Sequence, residues 1–242
     1  MASKKKTANL DFMKQHAVSS TCRANHTLYD QDPWRVFRIM SEFVEGFDML
    51  SPVGPAVTIF GSARTKTSAP QYQAVRKIAA GLAKAGYAII TGGGPGAMEA
   101  ANRGSHDESG VSIGLNIELP MEQSTNPFVN VPVGFRYFFV RKVMFLKYAS
   151  AVIVAPGGLG TLDECFEVLT LIQTHKIKNI PVILVGSAYW KGLFDWIYGT
   201  MVADGMVERD ELNIYKIMDD PDEIIREIKK SVSLKPRTST NF

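Results

Sequence analysis

Between residues 57 and 230, short apolar runs alternate with stretches of helical periodicity, and three of the runs end in glycine. Val57–Phe60 ends at Gly61-Ser62, Tyr87–Thr91 at Gly92-Gly93-Gly94-Pro95-Gly96, and Ala151–Ala155 at Pro156-Gly157-Gly158. Val111–Ile117, Val182–Val185 and Ile214–Met218 read as further strands. Helices are expected over Tyr72–Ala85, Ala97–Ser109, Tyr137–Tyr148, Thr161–Thr174, Trp190–Met201 and about Pro221–Lys230. A polar loop holding Pro120, Glu122 and Pro127 is expected between Ile117 and Tyr137. Strand–helix alternation of this kind gives an α/β fold, a mostly parallel sheet with helices on both faces, because parallel neighbours need a crossover.

Ahead of this region, residues 1–32 are polar and without sustained periodicity, and are expected to form a mobile tail. Trp34, Phe37, Met40, Val44 and Phe47 recur at roughly helical spacing, which predicts an N-terminal helix over 33–52 with Asp32 as cap and Pro33 in its first turn. Residues 53–232 then form the main domain and 233–242 a C-terminal tail. A chain of 242 residues with 45% hydrophobic and 21% charged residues can bury a core without disulfides or a structural metal.

The formal charge of +3 is concentrated at the ends. Of 27 basic residues, seven (Lys4, Lys5 and Lys6 in the first six positions, Lys229, Lys230, Lys235 and Arg237 after position 228) sit in end stretches without acids, leaving 20 against all 24 acidic residues, a balance of −4 for the stretch between. A mildly acidic body speaks against a polynucleotide partner, which asks for a basic stripe on the folded surface. No apolar run reaches a membrane span and the N-terminus has no apolar signal core, so no membrane association or export is expected. Cys22 and Cys165 are isolated thiols and the four histidines are scattered, which predicts no metal site and fits a cytoplasmic location.

Two loops carry the chemistry. Pro156-Gly157-Gly158-Leu159-Gly160-Thr161-Leu162-Asp163-Glu164 follows a strand and opens a helix. Glycines there let a ligand approach the backbone, and the free N–H groups of the new helix attract an anion such as a phosphate. The bland alternative is a capping box, Thr161 as cap and Glu164 reaching back, which would give Glu164 a purely structural task. The second loop, Gly92-Gly93-Gly94 to Ala97 with Glu118 ending the next strand, resembles a dinucleotide fingerprint. It sits one strand–helix unit too late for that, and Tyr137 is followed at four residues by Arg141 rather than lysine, which weakens an oxidoreductase reading. Gly110-x-Ser112-x-Gly114 lies within a strand and is no nucleophile elbow.

Taken together, the glycines at 92–94, the Arg141-Lys142 pair and Pro156-Gly-Gly-Leu-Gly-Thr-Leu-Asp-Glu164 resemble the LOG family, the cytokinin-activating phosphoribohydrolases once described as lysine decarboxylases. The likeness covers about residues 55–230, and the N-terminal helix is similar to that of the longer bacterial members. The resemblance implies a Rossmann-like sheet, an assembly of two or more copies, and no cofactor. It also implies hydrolysis of the N-glycosidic bond of a purine nucleoside 5′-monophosphate (AMP or a cytokinin riboside 5′-monophosphate) to base and ribose 5-phosphate. Glu164 and Arg141 are then the catalytic candidates, with Asp163 the alternative to Glu164. Gly157, Gly158, Gly160 and Thr161 would hold the 5′-phosphate, with Lys142 or Arg141 adding a contact. Glu122, Thr170, Gly92, Gly93, Gly94, Gly61 and Ser62 complete the expected substrate site. The rival readings are a non-catalytic nucleotide sensor, an NAD-dependent oxidoreductase, and a decarboxylase, for which no lysine has a recognisable setting.

Overall fold

The structure, a computed structural model, describes residues 32–118, 125–234 and 241. Its order is α1 (Asp32–Leu50), β1 (Ala56–Phe60), α2 (Pro70–Lys84), β2 (Ala88–Thr91), α3 (Ala97–Asp107), β3 (Ser112–Ile117), β4 (Val131–Phe135), α4 (Phe138–Lys147), β5 (Ala149–Val154), α5 (Leu159–Gln173), β6 (Val182–Val185), α6 (Ser187–Trp196), β7 (Lys216–Met218) and α7 (Pro221–Ser231). A π-helical turn, Ile197–Val202, continues α6, and Arg209–Leu212 is a short 3-10 helix. The seven strands form one sheet in the order β4-β3-β2-β1-β5-β6-β7, every pair parallel. The fold is Rossmann-like, as expected.

Alternation along β1 shows how the sheet is covered. Val57 and Ile59 point into a core shared with Ile89, Ile153 and Ile183 and with Tyr72, Ile78 and Leu82 of α2. Thr58 and Phe60 point to the opposite face, where Thr58 Oγ1 donates to Phe145 O of α4 at 2.8 Å and the Phe60 and Phe145 rings meet edge-on at 5.0 Å. Both faces are buried, so β1, β2, β5 and β6 are buried throughout, the signature of central parallel strands.

Three expectations need correction. The stretch expected to be loop up to Tyr137 contains β4, hidden by Pro132 and Gly134; as an edge strand it tolerates a proline on its open side. The last strand begins at Lys216, not Ile214. The helix expected to start at Trp190 starts at Ser187, after Gly186 in the left-handed region (φ +95°). The described residues divide into two units between Ser41 and Glu42, the boundary falling inside α1. In the second unit, the Glu42 carboxylate accepts the backbone N–H groups of Arg136 (3.1 Å) and Tyr137 (3.2 Å), just ahead of α4.

A buried polar network ties β2 to its neighbours. Asn102, on α3 and fully buried, accepts Thr91 Oγ1 (2.6 Å) and Asn126 Nδ2 (2.9 Å) at Oδ1 and donates to Ser112 Oγ (2.9 Å). Thr91 Oγ1 in turn accepts the Gly93 N–H at 2.9 Å, and Asn126 donates to the Gly93 and Gly94 carbonyls, both at 3.0 Å. Buried polar groups left without partners cost about 1–3 kcal/mol each. Asn102→Ala should therefore lower stability by roughly 2–4 kcal/mol, read as a lower urea midpoint at unchanged slope. A midpoint equal to wild type would mean the network contributes nothing.

Candidate functional site

The strand order reverses at β1: the chain runs outward through β2, β3 and β4, then crosses back to place β5 on the other side. Ligands of open α/β sheets bind outside the carboxyl ends of the strands at such a point. Here the β1 and β5 loops meet directly, Ser62 N–H donating to Pro156 O at 3.1 Å, and Ala97 N–H at the start of α3 donates to Ser62 O at 2.9 Å. A cavity of about 700 Å³ opens at this place, lined by residues of all three glycine loops and of α4 and α5. Gly61, Ser62, Gly92, Gly93, Gly94, Arg141, Gly158, Gly160, Thr161, Asp163 and Glu164 reach it.

Helix α5 starts at Leu159, with Gly158 as its cap residue and no side chain capping it. Thr161 therefore sits inside the first turn, 7% exposed, and its N–H is bonded to Gly158 O at 3.0 Å. The capping box between Thr161 and Glu164 does not form. No acidic side chain occupies the first turn of α5, so the positive end of its dipole faces the cavity uncompensated from within. The loop itself is held from behind: Tyr189 of α6 donates its hydroxyl to Gly157 O at 2.5 Å.

Arg141 comes from α4. Its Nε donates to Leu115 O of β3 at 2.7 Å, and the guanidinium lies 5.0 Å over the Phe145 ring. Burial pulls it down to about 10 while Glu164 holds it up, so it is charged at neutral pH. The guanidinium fits only because residue 92 is glycine: a Cβ there would collide with Arg141 Nη2. Gly93 is required for another reason, a φ of +71°.

Glu164, one and a half turns into α5, has a side chain only 13% exposed, against 62% for Asp163. Lys142 Nζ stands 3.2 Å from Glu164 Oε2, but no group meets hydrogen-bond geometry to that buried oxygen. Burial raises the Glu164 carboxyl to about 7, with Glu167 adding to the rise and Lys142 and Arg141 opposing it.

Lys142 departs from the expectation of a phosphate ligand. It does not line the cavity, and its side chain, 17% exposed, ends in an ammonium held by three carboxylates: Glu167 at 2.8 Å, Asp163 at 3.0 Å and Glu164 at 3.2 Å. Thr170 is exposed on α5 away from the cavity, and Gly157 packs under it against Thr161 rather than lining it. Glu122 lies outside the described residues. Glu118, the ribose acid of the dinucleotide reading, is paired instead with Arg136 at 2.8 Å. Sequence reasoning missed Arg64, an exposed cation on the β1 loop that lines the cavity, and Asn116, which also lines it and is tied to Thr125. The only signal for either was position, Arg64 just past the end of β1 and Asn116 in the last residues of β3. Among the described residues no acid, histidine or cysteine cluster could hold a metal, and no helix is long and apolar enough to cross a membrane.

Residues 98–228, just over half of the chain, match the family model described as possible lysine decarboxylase. The chain belongs to this, the LOG family. Among LOG-related proteins of known sequence, a pyrimidine/purine nucleotide 5′-monophosphate nucleosidase of Escherichia coli K12 is 29% identical over 178 residues. That alignment takes in 68% of this chain and 38% of the relative, so the chain spans well under half of its length. A probable cytokinin riboside 5′-monophosphate phosphoribohydrolase, LOG4, of Oryza sativa subsp. japonica is 27% identical over 148 residues, covering 60% and 63% of the two chains. The solved structure of a molybdenum cofactor binding protein from Rippkaea orientalis shares the fold, with a TM-score of 0.53, 23% identity, and coverage of 73% of this chain and 96% of that one.

The glycines of this LOG-family site separate by substitution. Gly92→Ala forces Arg141 or Met98 to shift, since a Cβ would lie 2.8 Å from Met98 Sδ besides its clash with Arg141, and should cost roughly 1–3 kcal/mol. Gly158→Ala and Gly160→Ala meet nothing within 4 Å and should leave stability within about 0.5 kcal/mol of wild type or raise it. Chemical denaturation of the three variants checks this, and a Gly160→Ala as costly as Gly92→Ala would refute it.

Proposed function

We propose that the protein hydrolyses the N-glycosidic bond of a nucleoside 5′-monophosphate, releasing the free base and ribose 5-phosphate. The observation that carries this reading is the presence, in one cavity, of an uncapped helix N-terminus and a buried carboxylate on the same helix. The first suits a phosphate and the second suits the cation that develops at C1′ as the base departs. The activities for which the Escherichia coli and rice relatives are named support the same chemistry.

In this reading the phosphate rests on the N–H groups at Leu159 and Gly160, with Arg64 as the cation free to meet it, since Lys142 is engaged elsewhere. Arg141, fixed by Leu115 O, orients Glu164 and the ligand. The C1′–N bond breaks with its electron pair leaving on the base, which takes up a proton. A water oxygen forms the new bond to C1′, and its proton passes to Glu164 and from there to solvent, which supplies the proton that the base takes up. Atoms and charge balance with water as the only co-substrate. A carboxylate as buried as Glu164 stabilises adjacent positive charge more strongly than a solvated one. The protein acts as a homo-oligomer in this reading, as the family resemblance implies. A sensor that binds the nucleotide without cleaving it is the alternative, and turnover distinguishes the two.

Incubation of purified protein with AMP, following adenine release, tests the proposal; absence of adenine at micromolar enzyme would overturn it. Glu164→Gln should lower turnover at least a hundredfold while AMP still binds. The pH dependence follows from the sign of the Glu164 shift. The working form is the carboxylate and its carboxyl is raised to about 7, so kcat/KM should be constant above about pH 7 and fall tenfold per unit below it. A profile flat down to pH 5 would remove Glu164 from the role. Adenosine, lacking the phosphate, should be cleaved roughly 10²–10⁴-fold less efficiently than AMP, two or three charged hydrogen bonds being lost. Cleavage of the two within a few-fold would show that the glycine loop is no phosphate site.

A further inference from the structure

Lys142 is adjacent in sequence to Arg141 but does not share its cavity, and its surroundings give it a different task. Its side chain crosses from α4 to α5 and ends among three carboxylates one helical turn apart: Asp163 and Glu167 at i and i+4, with Glu164 between them. The shortest contact, 2.8 Å with full hydrogen-bond geometry, goes to Glu167, not to Glu164. Glu164 receives the charge of the ammonium without a hydrogen bond from it.

We propose that Lys142 and Glu167 are a pair of positioning residues: Lys142 is the counter-ion that keeps the buried Glu164 ionised, and Glu167 anchors Lys142 while limiting how much of its charge reaches Glu164. The inference rests on the reading of Glu164 as the working carboxylate.

Geometry supports each half. Of the charges acting on Glu164, Lys142 and Arg141 reach it from α4, and Asp163 and Glu167 lie on its own helix. Arg141 is committed through Nε to Leu115 O, and Asp163 is largely exposed, so its charge is screened by water. Lys142 and Glu167 are partly buried charges of opposite sign, paired at 2.8 Å, with the ammonium 3.2 Å from the Glu164 carboxylate. Burial works against the charge of Lys142, but its contacts with Glu167 and Asp163 outweigh that and hold it firmly protonated. It is therefore a fixed positive charge across the working pH range rather than a proton donor. A buried carboxylate without such a charge takes up a proton instead of remaining ionised. Were Glu167 absent, the ammonium could swing fully onto Glu164 and neutralise more of the negative charge that the reacting centre requires.

The two residues are thus expected to move Glu164 in opposite directions, which no general loosening of the fold would do. Lys142→Met should shift the acidic limb of kcat/KM toward higher pH by roughly 1–3 units, an opposite charge within contact distance having been removed. Lys142→Arg should restore most of it. Glu167→Gln should shift the limb to lower pH by about one unit, a like charge having been removed, while lowering the plateau value of kcat severalfold. The direct readout is the carboxyl carbon-13 resonance of Glu164, assigned by its disappearance in Glu164→Gln and titrated in each full-length variant. This readout does not depend on turnover. If wild-type protein releases no base from AMP, the proposed function fails while the titration still tests the pairing. If Glu164 titrates at the wild-type pH in both Lys142→Met and Glu167→Gln, or if both variants shift it in the same direction, the pairing is wrong. Should Lys142→Met not fold, Glu167→Gln alone decides: a downward shift supports the inference, and an unmoved or raised midpoint overturns it.

Discussion

The hydrogen bond from Ser62 N–H to Pro156 O joins the first strand's loop to that of the fifth, and the rest of the site depends on it. It can exist only because the chain, after building β2, β3 and β4 on one side of β1, returns across the sheet to lay β5 on the other. The return passes through α4, so the same crossover that brings the Pro156 loop to β1 also carries Arg141 and Lys142 over the carboxyl edge. Placing residues from the β1 loop, the β2 loop, α4 and α5 around one cavity is thus a consequence of strand order. Small side chains are needed wherever these loops touch: Gly61 lies where a Cβ would stand 2.6 Å from that of Ala97.

Burial creates an electrostatic problem that α4 resolves. Glu164 is pressed into the interior by the packing of α5, whose Thr161, Cys165 and Val168 are buried beside it. An isolated carboxylate in that position would be neutral at working pH. Two cations from α4 oppose this, one pinned to a β3 carbonyl and aimed into the cavity, the other outside the cavity and hydrogen-bonded to Glu167. Adjacent residues on a helix point in directions about 100° apart, so Arg141 and Lys142 approach Glu164 from different sides. Cys165, next in sequence to Glu164, illustrates the uncompensated case: burial raises its thiol to about 12 and leaves it inert.

Much of this was legible in the sequence, and the exceptions have physical reasons. Apolar runs located β1, β2, β3, β5 and β6, and the glycines ending those of β1, β2 and β5 located the loops that line the cavity. β4 escaped because Pro132 and Gly134 disguise an edge strand whose pairing is supplied by β3 alone. The cavity positions of Glu164, Gly158 and Gly160 could be anticipated from a strand–glycine–helix pattern, because the free N–H groups of a helix belong to its first turn whatever the tertiary context, whereas Arg141 was indicated by the family resemblance. The partners of Lys142 could not, because they depend on which face of α4 meets α5, and one residue's difference in position decides it. Arg64 was missed for a related reason: a single arginine after a strand has no local pattern, and only the folding of the β1 loop toward Pro156 makes it a cavity residue.

The glycines themselves divide by cause, and the division separates what the fold needs from what a ligand needs. Gly92 and Gly93 are required by the protein: one leaves room for the Arg141 guanidinium, the other adopts φ +71° and is held by Thr91 and Asn126. Gly158 and Gly160 have ordinary backbone conformations and open space where a side chain would stand. Packing gives no reason for them, and helix propensity argues against Gly160, since alanine in a first turn is about 1 kcal/mol more favourable. A sequence that gives up helix stability at a position where nothing within the chain would be displaced is shaped by something outside the chain. The uncapped N–H groups at that spot, with no acid of their own in the first turn, indicate the sign of that absent partner's charge.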